Sequence, residues 1–125
     1  MSEEFKGEIS EVFDVDMALS SVGGDQEFLT EVAGLVRAAW PTLLADMKQG
    51  IVVGDLRAVK ARARLAKAAA RNVSAKRAYE CAHHLETVAG NGDLQATQEA
   101  VKRLEREAER LRVALTIIGK SEGSP

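Results

Sequence analysis

Apolar side chains recur along this chain at steps of three and four residues, and the runs are separated by short glycine, aspartate and asparagine signals. After a polar first dozen residues, Asp16 is placed to cap a short helix from Met17 to Ser20, which Gly23-Gly24 stops. Asp25 is a second N-cap, and Phe28, Val32, Leu35, Val36, Ala39, Leu43 and Met47 form one face of a helix running to about Gly50. Pro41 lies inside it and removes one backbone bond, which predicts a bend. Gly54-Asp55 repeats the stop and cap, and Leu56, Val59, Ala63, Ala66 and Ala70 make a third helical face to about Arg71. Beyond the break at Asn72-Val73-Ser74, a fourth helix from Ala75 carries Ala78, Cys81, Ala82, Leu85 and Val88 until Gly90-Asn91-Gly92. After Asp93, the series Leu94, Thr97, Val101, Leu104, Ala108, Leu111, Leu115 and Ile118 alternates three and four without a slip, the seam of helices packed at a shallow angle. Glu99, four residues before Arg103, adds a surface pair.

Four sizeable helices joined by short turns place neighbours antiparallel. The predicted fold is therefore all-α: an up-down antiparallel four-helix bundle with a short N-terminal helix across one end. Residues 1–12 form a polar segment, 13–119 the bundle and 120–125 a tail. With 125 residues, one core is the expectation. Few aromatics and only two prolines agree with helices rather than sheets.

Seventeen basic and nineteen acidic residues leave a net charge of −2, so no global field drives the chain onto nucleic acid or an anionic membrane. Any electrostatic role is local. Cys81 is the only cysteine and has no partner for an internal disulfide, and the first ten residues lack a signal-peptide pattern. No apolar run approaches the roughly 18 residues that span a bilayer. The expected compartment is the cytoplasm.

The third helix and the turn after it read Ala63-Arg-Leu-Ala-Lys-Ala-Ala-Ala-Arg-Asn-Val-Ser-Ala-Lys-Arg-Ala78. This segment resembles the signature of the histidine-containing phosphotransfer (HPt) family, A-H-x-L-K-G-x-x-x-N-[VI]-G-A. Lys67, Asn72, Val73 and Ala75 match it, whereas its histidine falls on Arg64, its leucine on Ala66 and its glycines on Ala68 and Ser74. Gly-Gly-Asp before the second helix, Gly-Asp before the third and the last, and Leu85-Glu86 also sit where the family has them, so the resemblance spans roughly residues 13 to 118. It implies an HPt-like bundle and a place in a bacterial-type two-component phosphorelay.

The family reaction needs an imidazole nitrogen that accepts a phosphoryl group from a receiver-domain aspartate. A guanidinium stays protonated, offers no lone pair and gives a phosphoryl group only charge and hydrogen bonds. Arg64 therefore excludes phosphotransfer at the usual position, and the resemblance implies a non-catalytic module rather than an enzyme. What remains is a docking surface. Arg57, Lys60, Arg64, Lys67 and Arg71 fall at steps of three and four and form one basic stripe beside the buried face. Receiver domains carry a carboxylate cluster around their phosphorylated aspartate, and the resemblance implies that this stripe faces it. Leu65 projects away from the core beside Ala61 and Ala68, an apolar patch with a charged rim. The implied partner is a response-regulator receiver domain or a sensor kinase.

Two other readings concern the fourth helix. Cys81, His83 and His84, with Glu80 one turn from His84, hold too few ligands for a zinc site, and neither metal nor cofactor is expected. The stretch His83-His84-Leu85-Glu86-Thr87 is similar to the phosphoacceptor box of sensor kinases, so His83 or His84 as an active phosphocarrier is the alternative function. A third possibility is a structural, dimerising bundle. No nucleotide-binding loop or Ser/His/Asp arrangement is present.

Overall fold

The computed structural model describes residues 23–122, with side chains described through residue 115. Its helices are α1 (Gln26–Val53), α2 (Leu56–Asn72), α3 (Lys76–Gly90) and α4 (Leu94–Glu122), and no strand occurs among the described residues. Each helix packs on the next in sequence, and α4 closes the ring on α1. The turns between them are two or three residues long, which reverses direction at every step and yields the up-down bundle. The short helix expected at Met17–Ser20 lies outside the described residues.

The capping chemistry follows the aspartates. Asp25 accepts a hydrogen bond from the Phe28 N–H (3.0 Å), Asp55 from Ala58 (3.1 Å) and Asp93 from Ala96 (3.0 Å), so three of the four helix starts satisfy an otherwise orphaned donor. Helix α3 starts at Ala75 with no side-chain cap. Gly54 closes α1 in the left-handed conformation (φ 73°), sending its N–H to the Gly50 and Ile51 carbonyls. Ser74, in the α2–α3 turn, adopts φ 55°, the one non-glycine residue with positive φ among the described residues.

The core is lined by Val59, Ala63, Ala66 and Ala70 of α2, by Ala78, Ala82, Leu85 and Ala89 of α3, and by Thr97, Val101, Leu104, Ala108, Leu111 and Leu115 of α4. Small alanines along α2 and α3 leave little side-chain volume between these two helices. Thr97 tolerates full burial because its hydroxyl donates to the Asp93 carbonyl at 2.6 Å.

Several expectations need correction. On α1 the buried stripe is Leu29, Ala33, Val36, Trp40, Leu43, Met47 and Gly50, whereas Phe28, Leu35 and Ala39 face outward, Leu35 being 72% exposed. Apolar residues run almost all the way round this helix, so two adjacent stripes compete, and the one bearing Leu29 and Trp40 supplies the volume that the α2–α3 side lacks. Leu94, the first residue of the α4 seam, is 44% exposed. Helix α1 continues past Gly50 to Val53 with Pro41 inside it, and α4 extends into the expected tail as far as Glu122. In place of a Glu99–Arg103 pair, α4 forms Arg110–Glu107 (3.3 Å) and Arg112–Glu109 (2.7 Å), both at three-residue spacing. Between helices, Arg62 meets Asp46 at 3.2 Å and Lys48 pairs with Glu105.

Candidate functional site

Helices α2 and α3 run antiparallel in one register, so each step of three or four residues up α2 is matched by the same step down α3. That register converts the basic stripe of α2 into a seam of facing pairs. Lys60 lies across Gly90, with its side-chain atoms about 3.5 to 3.6 Å from where a β-carbon would stand. Arg64 Nε donates to Glu86 Oε1 at 3.1 Å, and Lys67 Nζ stands 2.8 Å from Glu86 Oε2. At the far end, Arg71 Nη2 donates to the Tyr79 hydroxyl at 3.0 Å, and its guanidinium carbon lies 5.3 Å from the centre of the same ring.

Glu86 is the hinge of this arrangement. Its side chain is only 17% exposed and receives two cations. The hydrogen bond from Lys67 lowers its carboxyl pKa most, partial burial opposes this, and the Arg64 bond and both positive charges add to the lowering. The carboxylate is therefore held ionised well into mild acid.

His83 occupies the next position along the seam. Its Nδ1 lies 3.5 Å from Lys67 Nζ, and its ring stacks parallel to Tyr79 with centroids 6.4 Å apart and an interplanar angle of 3°. An ammonium group can only donate, so Nδ1 accepts. A neutral ring that accepts at Nδ1 carries its proton on Nε2. Lys67 thus touches Glu86, His83 and, at 6.0 Å, the face of Tyr79.

The predicted partner-binding residues separate into three groups. Arg64, Lys67 and Arg71 are brought together with α3 groups. Lys60 is half-buried over Gly90, and Arg57 is exposed beyond the ladder, with no ion pair among the described residues. Leu65, at 50% exposure, stands beside exposed Ala61 and Ala68 as the apolar patch.

The two candidate histidines lie in different places. His83 belongs to the α2–α3 seam, while His84 lines a groove between α3 and α4 of about 190 Å³, with Arg77, Glu80, Cys81, Arg103 and Glu107. Burial, and secondarily the charge of Glu107, pushes the Cys81 thiol above its ordinary pKa and keeps it protonated. No set of three or more His, Cys, Asp or Glu residues among those described is arranged to hold a metal ion, and no described helix is long and apolar enough to cross a membrane.

Two members of the site lie beyond the sequence analysis: it does not reach Tyr79, and Glu86 enters it only through resemblances to known families. The signal was present, because Tyr79, His83 and Glu86 are spaced by four and three residues and must share one face of α3. The missing information was which α2 residues that face would meet. Comparison of the chain with models of known protein families, with characterised proteins and with solved structures finds no match, so function rests on the chemistry of the seam.

Proposed function

We propose that the protein is a non-catalytic docking module of HPt-like architecture that binds an acidic receiver domain, or a kinase, through the α2 side of the α2–α3 seam, regulating signal flow by occupancy. The carrying observation is the seam itself. Exposed Arg64 and Arg71 and the mostly covered Lys67 line one side of α2, with the exposed Leu65–Ala61–Ala68 patch beside them, a desolvable apolar spot next to directional cations. Ion pairs and stacking hold these side chains in place before a partner arrives, so less rotamer freedom is lost on binding.

An active phosphocarrier at His83 is the second reading, favoured by the exposure of that histidine and by a lysine beside it. Against it stands the contact of Nδ1 with the Lys67 ammonium, which favours the tautomer that carries its proton on Nε2. Incubation with a phosphorylated receiver followed by assay for acid-labile phosphate separates the readings: label on His83 overturns the non-catalytic one.

The docking reading is tested by amide NMR titration of the protein with receiver domains. Shifts are expected along Arg57–Arg71 and around Leu65; shifts confined to α1 or α4 overturn it. Charge reversal at Arg57 and Lys60 should slow association and flatten its salt dependence. Leu65→Ala should weaken binding while leaving stability within about 0.5 kcal/mol, as expected for an exposed site.

A further inference from the structure

Charge is unevenly divided along this chain. The residues before Gly23 hold six carboxylates, Glu3, Glu4, Glu8, Glu11, Asp14 and Asp16, against the single cation Lys6, whereas the remainder carries sixteen basic and thirteen acidic residues. The positive excess is concentrated in α2, which has six cations and no carboxylate of its own. Asp46 pairs with Arg62, and Glu86 with Arg64 and Lys67, while Arg57 and Lys60 form no ion pair among the described residues. The outward side of α2 is also ordered. Lys60, Arg64 and Lys67 are each followed directly by an exposed apolar residue, Ala61, Leu65 and Ala68, so three basic and apolar doublets recur at steps of four and then three. Ahead of the bundle, Glu4-Phe5, Glu8-Ile9 and Glu11-Val12 are acidic and apolar doublets at the same steps. The two patterns are equal in period and opposite in charge.

We propose that residues 4–12 fold back onto α2 as an acidic ligand carried by the same chain, setting Phe5, Ile9 and Val12 against the Ala61–Leu65–Ala68 patch and their glutamates among the cations beside it. The docking face is then closed from within, and an acidic partner must displace the segment. This consequence rests on the docking reading above; the contact itself does not. Reach is sufficient. Because α1 and α2 are antiparallel, the chain before Gly23 enters the bundle at the end where α2 finishes. With 28 residues in α1 and 17 in α2, the start of α1 lies about 16 Å beyond the end of α2 and about 27 Å, measured along the bundle, from Leu65. The chain from Val12 to Gly23 can span up to about 36 Å. Neighbouring faces suit the segment less. Helix α1 exposes Glu27 and Glu31 near its start and no exposed cation before Lys48, and on α4 Arg110 and Arg112 are already paired within the helix. Tethering supplies an effective concentration of about a millimolar, so a weak contact suffices to occupy the face.

The test uses the full chain. A nitroxide on Ser2→Cys, in a Cys81→Ala background, should broaden the amides of residues 57–68 more than those on the outward sides of α1 and α4, and about 0.5 M sodium chloride should remove the difference. With no label and with Cys81 retained, the triple substitution Glu4→Gln, Glu8→Gln and Glu11→Gln should shift the same α2 amides while circular dichroism shows the helices intact. An exposed ion pair changes an equilibrium by about 1.4- to fivefold, so removing three should tighten receiver binding by at least about threefold.

Broadening spread evenly over the bundle or centred on the outer face of α1 around Leu35, or α2 amides that do not respond to the triple substitution, would overturn the contact. Contact at α2 with unchanged receiver affinity in the triple variant would overturn closure of the face. Contact at α2 in a chain that binds no receiver would leave the contact standing and remove the docking reading. Receiver binding through α2 without the contact would do the reverse.

Discussion

Gly50 and Gly34 lie in the same helix and should respond to alanine with opposite signs. A β-carbon at Gly50 would stand 2.8 Å from Val59 Cγ2 and 3.2 Å from the Asp55 carbonyl oxygen. Neither neighbour yields easily, because Val59 is fully buried with a branched, restricted side chain and the other atom is backbone. Gly34 meets nothing within 4 Å. Replacing glycine by alanine inside a helix gains about 0.5–1 kcal/mol from backbone entropy. At Gly34 that gain is unopposed. At Gly50 overpacking costs about 1–3 kcal/mol, which exceeds it. Gly34→Ala should therefore raise the melting temperature by about 2–4 °C, and Gly50→Ala should lower it by a similar amount or more, at about 4 °C per kcal/mol for a domain of this size. Urea and thermal unfolding followed at 222 nm measure both. A Gly50→Ala protein as stable as Gly34→Ala would refute the close approach of α1 to α2, and with it the position of α2 in the bundle.

Three further outcomes follow from single groups. Glu86, with its folded pKa depressed below the ordinary 4.5, contributes stability above that value and loses it as pH falls through the folded pKa. Glu86→Gln should cost about 0.5–1 kcal/mol at pH 7, and its urea midpoint should converge on that of the parent protein in acid; a constant gap down to pH 3 would contradict the ion pairs. Ser74→Gly should stabilise by up to about 1 kcal/mol in the same unfolding assay, because glycine relieves the left-handed backbone at that turn. The Cys81 thiol, raised by burial, should react with iodoacetamide at pH 8 more slowly than an unperturbed thiol and recover the ordinary rate in urea.

Most of the fold was legible because it is written in local rules. Asp25, Asp55 and Asp93 cap the helices that their positions announce, since a side chain that reaches a backbone N–H three residues ahead needs no tertiary contact. The α2 face and the α4 seam from Thr97 to Leu115 were read correctly because polar residues flank a single apolar stripe there, and Ile118 lies outside the described side chains. Helix α1 was misread by one position, Phe28 for Leu29 and Ala39 for Trp40, because its apolar residues do not confine themselves to one side. Only the neighbours with which a helix packs decide between two such stripes.

The candidate site divides along the same line. The sequence alone determined that Arg57, Lys60, Arg64, Lys67 and Arg71 share a face of α2 and that Leu65 points away from the core. Tertiary structure decided what the stripe faces. The antiparallel register of α2 against α3 sets Glu86 between Arg64 and Lys67, puts His83 and Tyr79 alongside, and turns a uniform row of cations into a partly neutralised, directional seam. Helical periodicity fixes angles about one axis only; the register between two helices comes from side-chain volumes meeting across them, here alanine against alanine, and no local rule contains it.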